Sequence, residues 1–169
     1  MPTLVRHPSS NTAGTTGFTN AGNAYASDDS YATAAPAQSK TVSSYFGGFN
    51  FKDTMDEHDT INSVKIAIER KFSTTASIGS SSIRPYDGTT ALVAAQTSTA
   101  EPASDTVYEV TISPAPTAKV LMSDNFRVLV GAIRGNSTTA VTISLDDVYV
   151  TVDYTEKRTY RTATMTGIG

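Results

Sequence analysis

The chain has no cysteine and no tryptophan. Without cysteine there is no disulfide framework and no thiolate metal site. The lack of tryptophan weakens a sugar-binding reading, because stacking on Trp and Tyr is the usual platform for sugar rings. Leucine is scarce, and helix-forming residues nowhere recur with a 3.6-residue period. There is no basic excess: the net charge is -3 over 169 residues, which argues against a nucleic-acid binder and its basic stripe. Long apolar runs are also missing. The longest, residues 128–133, falls far short of the ~20 residues of a membrane helix. Residues 1–10 contain no apolar stretch of signal-peptide length, so the expectation is synthesis in the cytoplasm without export.

What is abundant is Ser and Thr. Val, Ile, Thr, Tyr and Phe occur in short runs divided by Gly, Pro, Asp and Ser, the mark of a β-protein. The length suits one domain. At this size a single fold buries roughly 70% of the surface of its unfolded chain, enough for one core.

Residues 1–40 read as an extended N-terminal arm, polar and weakly hydrophobic, with Phe18, Tyr25 and Tyr31 as aromatic anchors that pin it to a core. A sandwich domain is expected over residues 41–154. In its first strand Tyr45, Gly47, Phe49 and Phe51 share one face, with Ser44, Gly48 and Asn50 opposite. The clearest strand follows: Val64, Ile66, Ile68, Arg70 and Phe72 alternate with Lys65, Ala67, Glu69 and Lys71. That is the pattern of an antiparallel strand with one face on a core. Arg70 interrupts the apolar set, so the strand is expected to leave the core there. Weaker strands are expected at 77–86 and 91–96 with a tight turn at Asp87-Gly88 between them. Another runs over 107–112, with Tyr108, Val110 and Ile112 on one face, ended by Pro114 and Pro116. Residues 119–123 suit one helical turn. Phe126, Val128, Val130 and Ala132 alternate with Arg127, Leu129, Gly131 and Ile133; both faces are apolar, which places this strand centrally.

In the last strand Val141, Ile143 and Leu145 hold odd positions, and Val148, Val150, Val152 and Tyr154 hold even ones. A strand changes its buried face only by an extra residue, so a β-bulge is expected at Asp146-Asp147. Residues 155–169 form a polar, basic C-terminal tail carrying Lys157, Arg158, Tyr160 and Arg161. Seven to nine short strands and no long helix make an all-β fold, a two-sheet antiparallel β-sandwich of jelly-roll or immunoglobulin-like type, the economical architecture.

Catalytic chemistry finds little footing. The two histidines, His7 and His58, lie in unrelated contexts, and no Gly-x-Ser-x-Gly elbow is present. Paired carboxylates for glycoside hydrolysis are not excluded by spacing, but no aromatic-rich groove supports them. The acidic loop with Asp53, Asp56, Glu57, His58 and Asp59 has two readings: a divalent-cation site of hard oxygen ligands or a solvated connection. Its spacing lacks the alternating acids and sharp-turn Gly of a calcium loop, which favours the connection. Asp146, Asp147 and Asp153 read as turn and edge residues rather than ligands. The expectation is a non-enzyme with no catalytic, cofactor-binding or metal-binding residues.

Several segments, in order, carry a resemblance. Phe18-Thr-Asn is followed by Asn23-Ala-Tyr, Asp28 and Asp29, and Tyr31-Ala-Thr-Ala. Then come Gly48-Phe49-Asn50-Phe51, residues 61–70, Thr-Ala-Glu-Pro at 99–102, Arg134-Gly135-Asn136-Ser137 and residues 148–154. This order resembles small virion structural proteins of tailed bacteriophages, in which Trp-Thr-Asn-Pro leads to Asn-Ala-Tyr, an acidic residue and Tyr-Ala-Thr-Ala. It spans roughly residues 2–154. Phe18 stands where the group has Trp, and residues 53–59 replace a Pro/Gly-rich turn. The resemblance implies a virion component with no catalytic residues to carry over. It implies a capsid decoration protein on the particle surface that contacts major capsid or tail proteins. It further implies a homo-oligomer that binds neither nucleic acid nor membrane and is made in the host cytoplasm. A tail appendage or a receptor- or carbohydrate-binding module of the phage tail is the alternative, and a bacterial surface subunit is a third. The partner contacts expected on this view are Phe18, Tyr25, Tyr31, Arg158, Tyr160 and Arg161, with the arms docking by strand addition.

Overall fold

The computed structural model describes residues 1–74 and 79–157. Along the chain come β1 (Thr3–Arg6), β2 (Ser10–Ala13), β3 (Ala32–Ala34), β4 (Thr41–Gly47), β5 (Thr60–Phe72), β6 (Gly79–Asp87), β7 (Thr90–Ala91), β8 (Gln96–Ser98), β9 (Thr106–Thr111), the single turn α1 (Ala118–Leu121), β10 (Phe126–Arg134) and β11 (Ile143–Thr155). Short 3-10 turns lie at Ala21–Ala24 and Phe51–Asp53. No helix among the described residues is long and apolar enough to cross a membrane.

The strands make two antiparallel sheets. One has the order β1-β11-β5-β9, with β3 also on β11; the other has β2-β4-β10-β6-β7, with β8 also on β6. The architecture is the expected β-sandwich. Val64, Ile66, Ile68, Val128, Val130, Ile143 and Leu145 are all buried between the sheets, and β10 is central in its sheet. The hairpin at Asp87 turns through Gly88 at φ +59°, a left-handed conformation that glycine adopts without steric cost.

The bulge in β11 falls at the expected place. Leu145 pairs with Arg70 and Asp147 with Glu69, so Asp146 is the extra residue. It lets Ile143 and Leu145 before it, and Val148, Val150, Val152 and Tyr154 after it, all reach one core.

Four expectations change. Arg70 does not take β5 out of the core. It is 2% exposed, and Phe72 beyond it is also buried. Its guanidinium lies 4.8 Å from the Tyr108 ring centroid and 5.8 Å from that of Phe72. It donates to Ser98 Oγ at 2.8 Å and to the Ala100 carbonyl at 3.3 Å. Aromatic faces and neutral acceptors thus replace water around the cation. Tyr45 is not on the face of Phe49 and Phe51. Phe46 points into the core, β4 ends at Gly47, and left-handed Gly48 (φ +68°) and Asn50 (φ +53°) break the alternation before the two buried phenylalanines. The strand expected at 91–96 is two short ones, β7 and β8, each on β6.

The fourth change concerns the N-terminal arm, whose first 34 residues are built into the sandwich. β1 pairs with β11 from Arg6↔Val150 to Thr3↔Asp153, Tyr25 bridges Asp147, and β3 pairs with residues 143–145. Together they line one edge of β11. Between β1 and β3 the chain crosses to the other sheet, where β2 pairs with β4. The buried hydroxyls of Ser43 and Ser44 accept the backbone N–H groups of Thr15 and Phe18, each at 2.9 Å. A 13-residue apolar strand such as β11 left with a bare edge would template aggregation, and the N-terminal segments cover it.

Candidate functional site

On β4, β10 and β6 the residues that do not face the core form an outer surface. Cross-strand register places Leu129 between Tyr45 and Arg84, and Arg127 between Gly47 and Tyr86. Neighbours opposite one another on a sheet face lie within side-chain reach. The Arg127 guanidinium sits 4.0 Å from the Tyr45 ring centroid, and that of Arg84 sits 5.5 Å from Tyr86. The two tyrosine rings meet edge to face at 5.4 Å. Both arginines are tied to backbone: Arg127 Nε donates to the Gly88 carbonyl at 2.9 Å, and Arg84 Nε to the Val93 carbonyl at 3.0 Å. Rings and guanidiniums thus fix one another's rotamers.

At the Gly47 end of this surface lies an open groove of about 380 Å³, whose walls include Asn11, Thr12, Tyr45, Asp124, Asn125 and Arg127. β2 of the N-terminal segment makes one side, and the residues entering β10 make the other. Asp124 is exposed and ion-paired with Lys52 at 2.6 Å. The Asn11 amide donates to the Tyr25 hydroxyl at 2.5 Å. The groove therefore presents a carboxylate, a guanidinium, amides, a hydroxyl and an aromatic ring together. None of its residues was a candidate site residue in the sequence. The usable signal was Phe46, flanked by Val42 and Ser44 at even positions, which sends Tyr45 outward.

The residues singled out from the sequence fall elsewhere. Phe18 is 7% exposed and belongs to the core, so its side chain is enclosed by this chain's own sheets and presents no surface to a partner. Tyr25 is half-buried against the core. Tyr31 is half-buried, and its hydroxyl donates to Asp105 at 2.8 Å with Asp29 at 3.1 Å. The Lys71 ammonium lies 3.6 Å from its ring centroid and 3.3 Å from Asp105. Hydrogen bonding to Lys71 pulls the Tyr31 hydroxyl pKa down, but Asp105, desolvation and Asp29 push it up, and the net is above the ordinary phenol value. Arg158, Tyr160 and Arg161 lie outside the described residues.

Tyr25 reaches the β11 bulge through its backbone bridge to Asp147, whereas Tyr31 is held by Asp29, Asp105 and Lys71. The Asp147 carboxylate accepts from the His7 Nδ1–H at 3.0 Å, and the His7 ring lies 5.9 Å from Tyr149. Asp146 is buried, with Oδ1 unpartnered. Desolvation raises its pKa; the Asp28 backbone N–H opposes this, and nearby Glu69, Asp105 and Asp29 add to it. In the acidic loop Asp56 accepts from the His58 N–H and Asp59 from the Asp56 N–H, both at 2.9 Å, and Asp59 also accepts from the Lys157 N–H at 3.0 Å. These carboxylates shape a turn and tie it to the end of β11. Among the described residues no three His, Cys, Asp or Glu side chains are placed to hold a metal ion.

No family model matches the chain, and no curated protein matches its sequence. Among solved structures it is similar to one described as "CBM4 structure and function", with a TM-score of 0.48 and 14% identity over 90% of this chain and 94% of that one.

Proposed function

We propose that the chain is a non-catalytic structural subunit on the outer surface of a tailed-phage particle, a decoration protein of the capsid. One observation supports this reading above others: the segments that resemble phage virion proteins coincide with the positions on which this fold depends. Phe18 is in the core, and Thr19 bridges Thr33. Asn23-Ala-Tyr ends the 3-10 turn of Ala21–Ala24 and delivers Tyr25 to Asp147. Tyr31-Ala-Thr-Ala leads into β3. Gly48-Phe49-Asn50-Phe51 supplies two left-handed residues and two buried rings. Arg134 donates to the Ser137 carbonyl and, at 3.4 Å, to that of Pro36, closing its loop. Segments that share this order and hold the fold together fit a shared scaffold.

Weak single contacts suffice for such a subunit, because avidity across a symmetric shell multiplies them. The test is add-back to particles lacking this protein. Saturable binding at a fixed ratio to the major capsid protein is expected; recovery of the protein wholly in the unbound fraction overturns the reading. The groove beside Tyr45 and Arg127 favours a second reading, a receptor- or carbohydrate-binding module of the phage tail. Antibody labelling of intact particles separates the two, since one predicts label on the head and the other on the tail.

A further inference from the structure

We infer that the groove formed by Asn11, Thr12, Tyr45, Asp124, Asn125 and Arg127 is a binding site for a saccharide unit of a cell-surface glycan. This rests on the second reading above. The argument begins from what the walls offer. At about 380 Å³ the groove lies at the lower end of the ~300–1,000 Å³ range of small-molecule sites. Such sites are mostly apolar, whereas this one is lined by amides, hydroxyls, a carboxylate and a guanidinium. It therefore suits a ligand whose whole surface forms hydrogen bonds. Sugar hydroxyls both donate and accept, and the set here offers both: Asp124 accepts only, Arg127 donates only, and Asn11, Thr12 and Asn125 do both. Planar carboxylate and guanidinium groups engage adjacent hydroxyls in pairs.

Tyr45 adds an aromatic ring to the polar wall. The Arg127 guanidinium lies 4.0 Å from its centroid, and the ring meets that of Tyr86 edge to face at 5.4 Å. Arg127 is itself anchored to the Gly88 carbonyl. Asn11, Thr12, Tyr45 and Arg127 stand on paired strands, β2 on β4 and β4 on β10, and Asp124 and Asn125 on a turn closed by the Phe126 N–H to the Ser123 carbonyl, so little ordering is required when a ligand arrives. Among the described residues, Arg127 has no carboxylate within ion-pair distance, which leaves its remaining donors available.

The test is chemical-shift mapping on the intact, isotope-labelled chain with a panel of free sugars at millimolar concentration: neutral hexoses, a 6-deoxyhexose, an N-acetylhexosamine and a hexuronate. The isolated chain is used so that failure to bind sugar and failure to join a particle remain separate results. At least one sugar is expected to shift the backbone amides of residues 10–12, 45–47, 88–89 and 124–127 in a saturable way. Tyr45→Ala and Arg127→Ala should each weaken that binding about tenfold, the size of one lost aromatic or charge-assisted contact. Tyr45→Phe, which keeps the ring, should retain it. Val107→Ser, on the exposed edge strand of the other sheet, should leave it unchanged. Shifts confined to other residues, no saturable shift with any sugar of the panel, or full binding by both alanine variants would each overturn the assignment.

Discussion

At the scale of single residues, the fold accommodates two ionisable side chains that alternation alone misplaces. Arg70 reads as a solvent residue, because a charge in an apolar series normally marks the surface. It stays buried because two rings and two neutral acceptors, supplied by β5 itself, β8, β9 and the loop after β8, surround the guanidinium. Apart from Phe72, these neighbours lie far away in sequence, so the sequence pattern could not reveal them. Asp146 is the counterpart on β11. Its folded-state pKa is raised, chiefly by desolvation. A carboxyl raised in this way favours folding in its protonated form. That contribution is fully present below the unfolded-state pKa and is lost as pH rises through the folded value. At neutral pH the Asp146 charge therefore works against stability. Asp146→Asn should raise the melting temperature at pH 7 by about 2–4 °C, the scale of ~1 kcal/mol in a chain of this size. The gain should vanish when the comparison is repeated well below the ordinary carboxylate range. An equal gain at both pH values would show that charge is not the cause. Core positions behave more simply. Ile66 is fully buried between the sheets, and Ile66→Ala should cost about 2–5 kcal/mol in denaturant unfolding, from lost transfer energy plus the cavity left behind.

At the scale of elements, what was legible depended on length. β5 and β11 run for 13 residues each and β10 for nine, long enough for a period of two to stand clear of chance. The bulge could be located because the buried parity flips between Leu145 and Val148, and only an inserted residue can do that. β1, β2 and β3 are four, four and three residues long; β2 is exposed throughout, β1 alternates exposed and half-buried residues, and β3 buries only two alanines. They are too short for a periodicity to stand clear of chance, and what makes them strands is the unpaired edges of β11 and β4, which lie more than a hundred or some thirty residues away. The outer groove was hidden for the same reason: one wall is β2, and Tyr45 was placed on the wrong face of β4. This argument has a measurable consequence. Deleting residues 1–13 should lower unfolding free energy by at least ~1.5–3 kcal/mol, the worth of one buried aliphatic side chain, through Leu4 and the lost ladders. It should also promote concentration-dependent association through the bared edges of β11 and β4. A deletion variant that stays monomeric with unchanged stability would show that the N-terminal segments are accessory.

At the scale of the whole molecule, the question is which part remains free to dock. The N-terminal segments, once expected to reach a neighbour, are occupied within the sandwich, and Phe18 lies in its core. The remaining candidates from the sequence, Arg158, Tyr160 and Arg161, lie beyond the described residues. In a chain of net charge -3, the sequence sets Lys157, Arg158 and Arg161 close to Tyr160, with Glu156 as their nearest opposing charge. Arginine makes paired, charge-assisted contacts to carboxylates and carbonyls, and tyrosine supplies packing area, the combination enriched at protein interfaces. Such a segment should seek an acidic surface on the particle, and its contribution should be screened as salt rises. A truncation ending at Thr155 removes it while leaving every strand intact. The truncated chain should keep nearly the thermal stability of the full one; among the described residues it loses the Lys157 hydrogen bond to Asp59. It should occupy particles lacking this protein far less completely, and with a flatter dependence on salt. Equal occupancy by the two chains across a salt series would place the docking surface on the sandwich itself.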